Sequence, residues 1–218
     1  MKKIISFSVI LLFVQFSFSQ KVYHVDYNAI GKYVKENSEA YHKLTERFEA
    51  NDSLLTNDDY ALLYYGYSFT PKYKGSMDRW NVLDTLYTEK KMNLMYDKAK
   101  EFRQDNPVSL KLLLYLIKVT STLQKKGELQ SYIEKYKNLV AAILSSGDGK
   151  SQQTPFYVIC INDEYQLLQN VFDVKKINSQ SLIKGCDLMK FEYSPYYNGT
   201  EIYFNISRSL DHMNEIFK

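Results

Sequence analysis

Three acids carry the side-chain chemistry most useful for bond breaking: Asp148, in the segment Gly147-Asp148-Gly149-Lys150-Ser151, and the adjacent pair Asp163-Glu164. Two carboxyls in one pocket can divide the roles of acid and base, one holding a proton while the other has lost it. Such a site would make the protein a hydrolase. Adjacent acids also have a simpler use, because the first turn of a helix favours negative charge, and Asp58-Asp59 repeats the pairing upstream. The 147–151 segment does not sustain a phosphate-loop reading, since Leu144 stands where that motif needs its first glycine. Lys150 likewise stands where a calcium loop needs a ligand. The segment reads as a helix end followed by a turn.

The other reactive types are scattered. His24, His42 and His212 make no His-Glu-x-x-His pair, and no Gly-x-Ser-x-Gly elbow occurs. No metal, cofactor or catalytic residue is expected. Cys160 and Cys186 form no Cys-x-x-Cys motif, which excludes a thioredoxin-like redox role. On neighbouring strands they would lie close together and could form a disulfide; the alternative is two buried thiols packed as small hydrophobes. The aromatic content is unusual, with 20 Tyr and 12 Phe against 1 Trp. Tyr60, Tyr64, Tyr65 and Tyr67 crowd one predicted helix and cannot all face a core. Tyr64, Tyr65 and Tyr67 are therefore candidates for a binding surface, as are Asp148, Asp163 and Glu164. A tyrosine row suits a protein interface or flat stacking on sugars; the alternative is packing between helices with the hydroxyls in water.

The elements that must position these residues change character near Gly147. Before it, apolar residues recur at helical spacing and predict six or seven helices over 26–146 in antiparallel array. Asp26 and Thr56-Asn57-Asp58-Asp59 mark helix starts, and Asp105-Asn106-Pro107 marks a break. Trp80-x-x-Leu83-x-x-x-Tyr87 matches the first helix of a tetratricopeptide hairpin, although Asp84 occupies the usual glycine. Gly127 is expected to end the apolar helix that begins at Leu110. After Gly147, strands are predicted at 156–161, 186–193 and 200–207, with Asp163 capping a short helix over 165–172 between them. The fold class is α+β: a helical array over 20–146 and a small, three-stranded, antiparallel sheet over 147–218, packed as one continuous unit.

The first residues read as a signal. Met1-Lys2-Lys3 is followed by an apolar run to Phe18, shorter than the ~20 residues a bilayer span requires. Ser17-Phe18-Ser19 supplies small residues for cleavage after Ser19. No cysteine follows the run, so a lipid anchor is not expected; the mature chain, 20–218, is expected to be periplasmic or secreted with no membrane insertion. The formal charge is +3, and two of those three units come from Lys2 and Lys3. A near-neutral mature chain has no electrostatic footprint for nucleic acid.

Together, several segments resemble a known family. Tyr64-Tyr65-Gly66-Tyr67, Asn106-Pro107, Ser146-Gly147-Asp148-Gly149-Lys150-Ser151 followed by Phe156-Tyr157-Val158-Ile159, Asp163-Glu164-Tyr165, Gly185-Cys186-Asp187 and Ile202-Tyr203-Phe204-Asn205 resemble an exported Bacteroidota family, the domain of unknown function 4919. The likeness covers nearly the whole mature chain. It implies an envelope or secreted location and supplies no activity. Asp52-Ser53-Leu54 also resembles the O-glycosylation acceptor of that bacterial group, which makes Ser53, in a predicted loop, a candidate modification site. The resulting expectation is a non-enzymatic binding or scaffold protein acting through a concave helical surface on a protein or glycan. An envelope hydrolase using carboxylates near the 147–151 loop is the alternative.

Overall fold

The computed structural model describes residues 22–75 and 80–216. The expected signal segment 1–19 and the expected cleavage point after Ser19 lie outside the described residues. Among the described residues seven α-helices precede the sheet: α1 (Tyr27–Glu36), α2 (Ser38–Glu49), α3 (Asn57–Tyr67), α4 (Asn81–Thr88), α5 (Met92–Asp105), α6 (Leu110–Thr122) and α7 (Lys126–Leu144). Their starts follow from side-chain capping. Asp26 accepts from the Asn28 and Ala29 amides at 3.0 Å each. Thr56 and Asp59 exchange hydrogen bonds as a capping box, Asp59 N–H donating to Thr56 Oγ1 at 3.2 Å and Thr56 N–H to Asp59 Oδ2 at 2.8 Å.

The ends use a signal the sequence hides. Asn51, Lys90 and Gln124 adopt φ of 58°, 57° and 58°, the left-handed conformation glycine usually supplies after a helix. The following amides reach back into the last turn, as when Lys125 N–H donates to Thr120 O at 2.9 Å. Thus α6 stops through Gln124 rather than Gly127, which lies inside α7. The helices from α4 to α7 pack on their sequence neighbours, and α3 packs on α1, α2 and α7. In the tetratricopeptide-like stretch Trp80 and Leu83 are buried, but Tyr87 is 38% exposed, its ring under Lys118 Nζ at 3.6 Å from the centroid.

The sheet departs from expectation. It has four strands, β1 (Phe156–Tyr157), β2 (Ile177–Ile183), β3 (Cys186–Phe191) and β4 (Glu201–Asn205), in the order β1-β4-β3-β2. It is mixed: β1 runs parallel to β4, and the other two pairings are antiparallel. The missed strand is β2, whose sequence INSQSLI alternates no apolar face because six of its seven side chains are exposed. Between β1 and β2 lies α8 (Ile161–Gln166), which continues as a π-helical turn over Leu167–Val171. Asp163 is therefore inside a helix that starts earlier than expected, and it does not cap one. A last helix, α9 (Ser207–Ile216), follows β4.

The sheet order also parts the two strands that the sequence reading makes neighbours. β4 lies between β1 and β3. Cys160 precedes α8, Cys186 opens β3, and they form no disulfide with each other. A single cluster of buried apolar residues takes members from α1 through Ile206, so helices and sheet share a core.

Candidate functional site

The tyrosine cluster has an interior task. β1 is only two residues long, and on the side facing away from β4 the backbone groups of Tyr157 and Ile159 must find partners. Four hydroxyls supply them. Ser146 Oγ accepts from Tyr157 N–H at 2.9 Å, and Tyr65 O–H donates to Tyr157 O at 3.3 Å. Tyr64 Oη accepts from Ile159 N–H at 3.2 Å, and Tyr73 O–H donates to Ile159 O. Side chains thus take the place of a fifth strand. Tyr64 and Tyr65 are fully buried and Tyr67 nearly so, its hydroxyl donating to Asp105 O at 2.8 Å. All three of these tyrosines are buried in the core. Ser146→Ala would orphan the Tyr157 amide and is expected to cost about 1–2 kcal/mol in urea unfolding, with m unchanged.

The nominated acids diverge. Asp163 is buried and accepts the Tyr64 hydroxyl at 2.7 Å; burial pushes its pKa up to about 7, against the opposing pull of that hydrogen bond. Glu164, one residue on, points elsewhere. It is fully buried, and no N–H or O–H of the described residues reaches its oxygens. Its neighbour is a second carboxyl, Asp187 of β3, and burial together with the nearby Asp187 and Asp163 raises its pKa to about 9. Burial and the neighbouring carboxyls favour the protonated form of Glu164, the form that can donate to Asp187. Asp187 also accepts from Gln180 Nε2 at 2.5 Å, and Gln180 Oε1 accepts from Tyr165 O–H at 2.9 Å. Alternation along β3 carried the signal for Asp187, since it shares the inward face with Met189.

Asp148 is exposed and distant in role. Its Oδ1 accepts from Lys150 N–H at 3.0 Å and Thr154 O–H at 2.6 Å, closing the loop 148–154 on itself. Ser53 is exposed in the turn between α2 and α3, as an acceptor site requires. A second buried polar centre escaped the sequence reading. Lys135 Nζ donates to Glu49 O at 3.2 Å and Ser131 Oγ at 3.1 Å and to Asn51 Oδ1, while Arg103 pairs with Glu49 at 2.5 Å. Burial and the Arg103 charge lower the Lys135 pKa to about 8. Spacing could have found it, because Tyr132, Lys135, Tyr136 and Leu139 fall on one stripe of α7.

Two cavities remain to be weighed. One, lined by Tyr67, Tyr73, Trp80, Asn106, Cys160 and Asp163 among others, holds about 30 Å³, the space of one water molecule. The other is an open cleft of about 340 Å³ between α1, the end of α3 and α9. Tyr27 and Phe69 form its apolar walls, and Asn28, Arg208, Asp211, Asn214 and Glu215 line the rest. Arg208 is buried and rigidly held. It donates to Ser68 O at 2.8 Å and Glu215 Oε1 at 3.3 Å, and it lies 4.5 Å from the Phe69 ring centroid. Among the described residues no group of three or more His, Cys, Asp or Glu side chains could hold a metal ion.

The fold and site therefore define an α+β protein with buried acids and one open polar cleft. The chain belongs to the family described as Domain of unknown function (DUF4919), whose profile matches residues 28–215. No curated protein and no solved structure matches it. No helix of the described residues is long and apolar enough to cross a membrane.

Proposed function

We propose that this is an exported, non-enzymatic binding protein of the bacterial cell envelope, and that its ligand is a glycan segment held in the cleft between α1 and α9. The carrying observation is the make-up of that cleft: two aromatic walls beside amides, carboxylates and a fixed guanidinium, in a volume of about 340 Å³. Sugars present C–H faces that aromatic rings cover and hydroxyls that both donate and accept, so they match such a lining. Support for binding over hydrolysis comes from the acids. Asp163 meets Tyr64, Glu164 meets Asp187, and Asp148 closes its own loop, so no two of the three share an open pocket.

Titration calorimetry with neutral oligosaccharides cut from envelope polysaccharide tests this reading. Saturable binding is expected, weakened roughly tenfold by the double substitution Asp211→Ala, Asn214→Ala at exposed positions of α9. Heats that do not differ between wild type and variant would reject the cleft. Release of shorter fragments during incubation would favour the hydrolase instead.

A further inference from the structure

The two edges of the sheet are treated in opposite ways. The β1 edge is sealed by the hydroxyls of Ser146, Tyr65, Tyr64 and Tyr73. Among the described residues the β2 edge has no strand beyond it. Exposed edges ordinarily carry inward charges, prolines or bulges that discourage pairing. β2 has neither charge nor proline in INSQSLI, and its single irregularity lies between Ile177 and Ser179. The stretch 179–183 is regular, and it leaves Leu182 58% and Ile183 36% exposed. A hairpin turn with Lys184 at φ 49° and Gly185 at φ 80° holds it against β3, so the edge is pre-shaped.

We propose that the outer edge of β2 takes up an extended segment of a partner protein, one that carries an acidic residue opposite Lys184. Charge decides the occupant. Lys175 and Lys176 are already paired with Asp173 and Glu192, whereas Lys184 has no carboxylate partner among the described residues. A second copy of this chain fits poorly. Antiparallel pairing centred on Gln180 sets Lys176 across from Lys184, and parallel in-register pairing sets Lys184 against itself; like charges directly opposite oppose pairing. An acid-bearing strand gains the backbone hydrogen bonds of the edge, covers Leu182 and Ile183, and neutralises Lys184. The proposal does not depend on the cleft.

Fluorescein-labelled peptides with one core and different ends provide the probe: Glu-Val-Thr-Val-Thr-Glu against the same core ended by Lys. With the full-length chain, the acidic probe is expected to bind at least tenfold more tightly by anisotropy and to slow amide exchange within 177–183. Lys184→Glu should invert the preference between the two probes while the exchange pattern of the helices stays unchanged. Leu182→Pro, which removes an amide that faces away from β3, should abolish binding of both. Equal affinity for the two probes, no binding of either, or protection that falls outside β2 would overturn the proposal. Concentration-dependent dimerisation with β2 protected in the absence of probe would assign the edge to a second copy and overturn it equally.

Discussion

Replacing Tyr64 with phenylalanine is expected to lower stability by about 3–4 kcal/mol. One hydroxyl there serves two buried partners 95 and 99 residues away in sequence, accepting from Ile159 N–H and donating to Asp163. Removing it orphans a buried amide and a buried carboxyl together, and each orphan costs about 1–3 kcal/mol. Tyr65→Phe supplies the comparison. It leaves one buried acceptor, Tyr157 O, without its hydroxyl partner where Tyr64→Phe leaves two groups, and should cost about 1–2 kcal/mol. Urea midpoints for the two variants check the ratio. Equal losses would show that the Tyr64 hydroxyl is not a shared fastener.

A second large effect concerns pH. Glu164 has its pKa raised from its usual 4.5 to about 9, and Asp163 from 3.8 to about 7, both chiefly by burial. For an acid whose folded pKa lies above its unfolded one, the neutral form is the one the fold prefers. The contribution of each group is therefore complete below its unfolded pKa and is lost as pH rises through the folded value. Stability should fall between about pH 4 and pH 9, with Asp163 acting over the lower part of that window and Glu164 extending it. Glu164→Gln keeps the shape of the protonated acid and a donor toward Asp187, yet cannot ionise. At pH 8.5 it is expected to be more stable than wild type by on the order of 3 kcal/mol, or roughly 6–12 °C in Tm. At pH 5 the two should melt within about 2 °C of each other. Thermal melts across that range check the slope, and a variant that falls as steeply as wild type would refute the protonated pair.

These expectations rest on residues whose type was plain in the sequence but whose company was not. Periodicity was enough to place α1 to α7, because a helix buries a stripe and the stripe is written at intervals of three and four residues. Capping at Asp26 and Thr56 was equally local, since donor and acceptor lie within one turn. Helix ends at Asn51, Lys90 and Gln124 were less legible, as the left-handed conformation there is carried by residues that also occupy helices freely. β2 was invisible for a related reason: an edge strand exposed on both faces needs no alternation.

The sequence by itself determined that the chain divides into a helical array and a later sheet, and that tyrosine would matter in α3. Tertiary structure alone decided what the tyrosines do. Counting them on one helix suggested a surplus for the surface, because the sequence cannot show that a short strand will lie beside α3 with its backbone groups unpaired. It alone decided, too, that Asp163 and Glu164 part company, one toward Tyr64 of α3 and the other toward Asp187 of β3. Adjacent residues on a helix point about 100° apart, so their partners come from different elements, and which elements those are depends on contacts far away in the chain. The same cause set β4 between β1 and β3 and parted the strands expected to bring Cys160 beside Cys186.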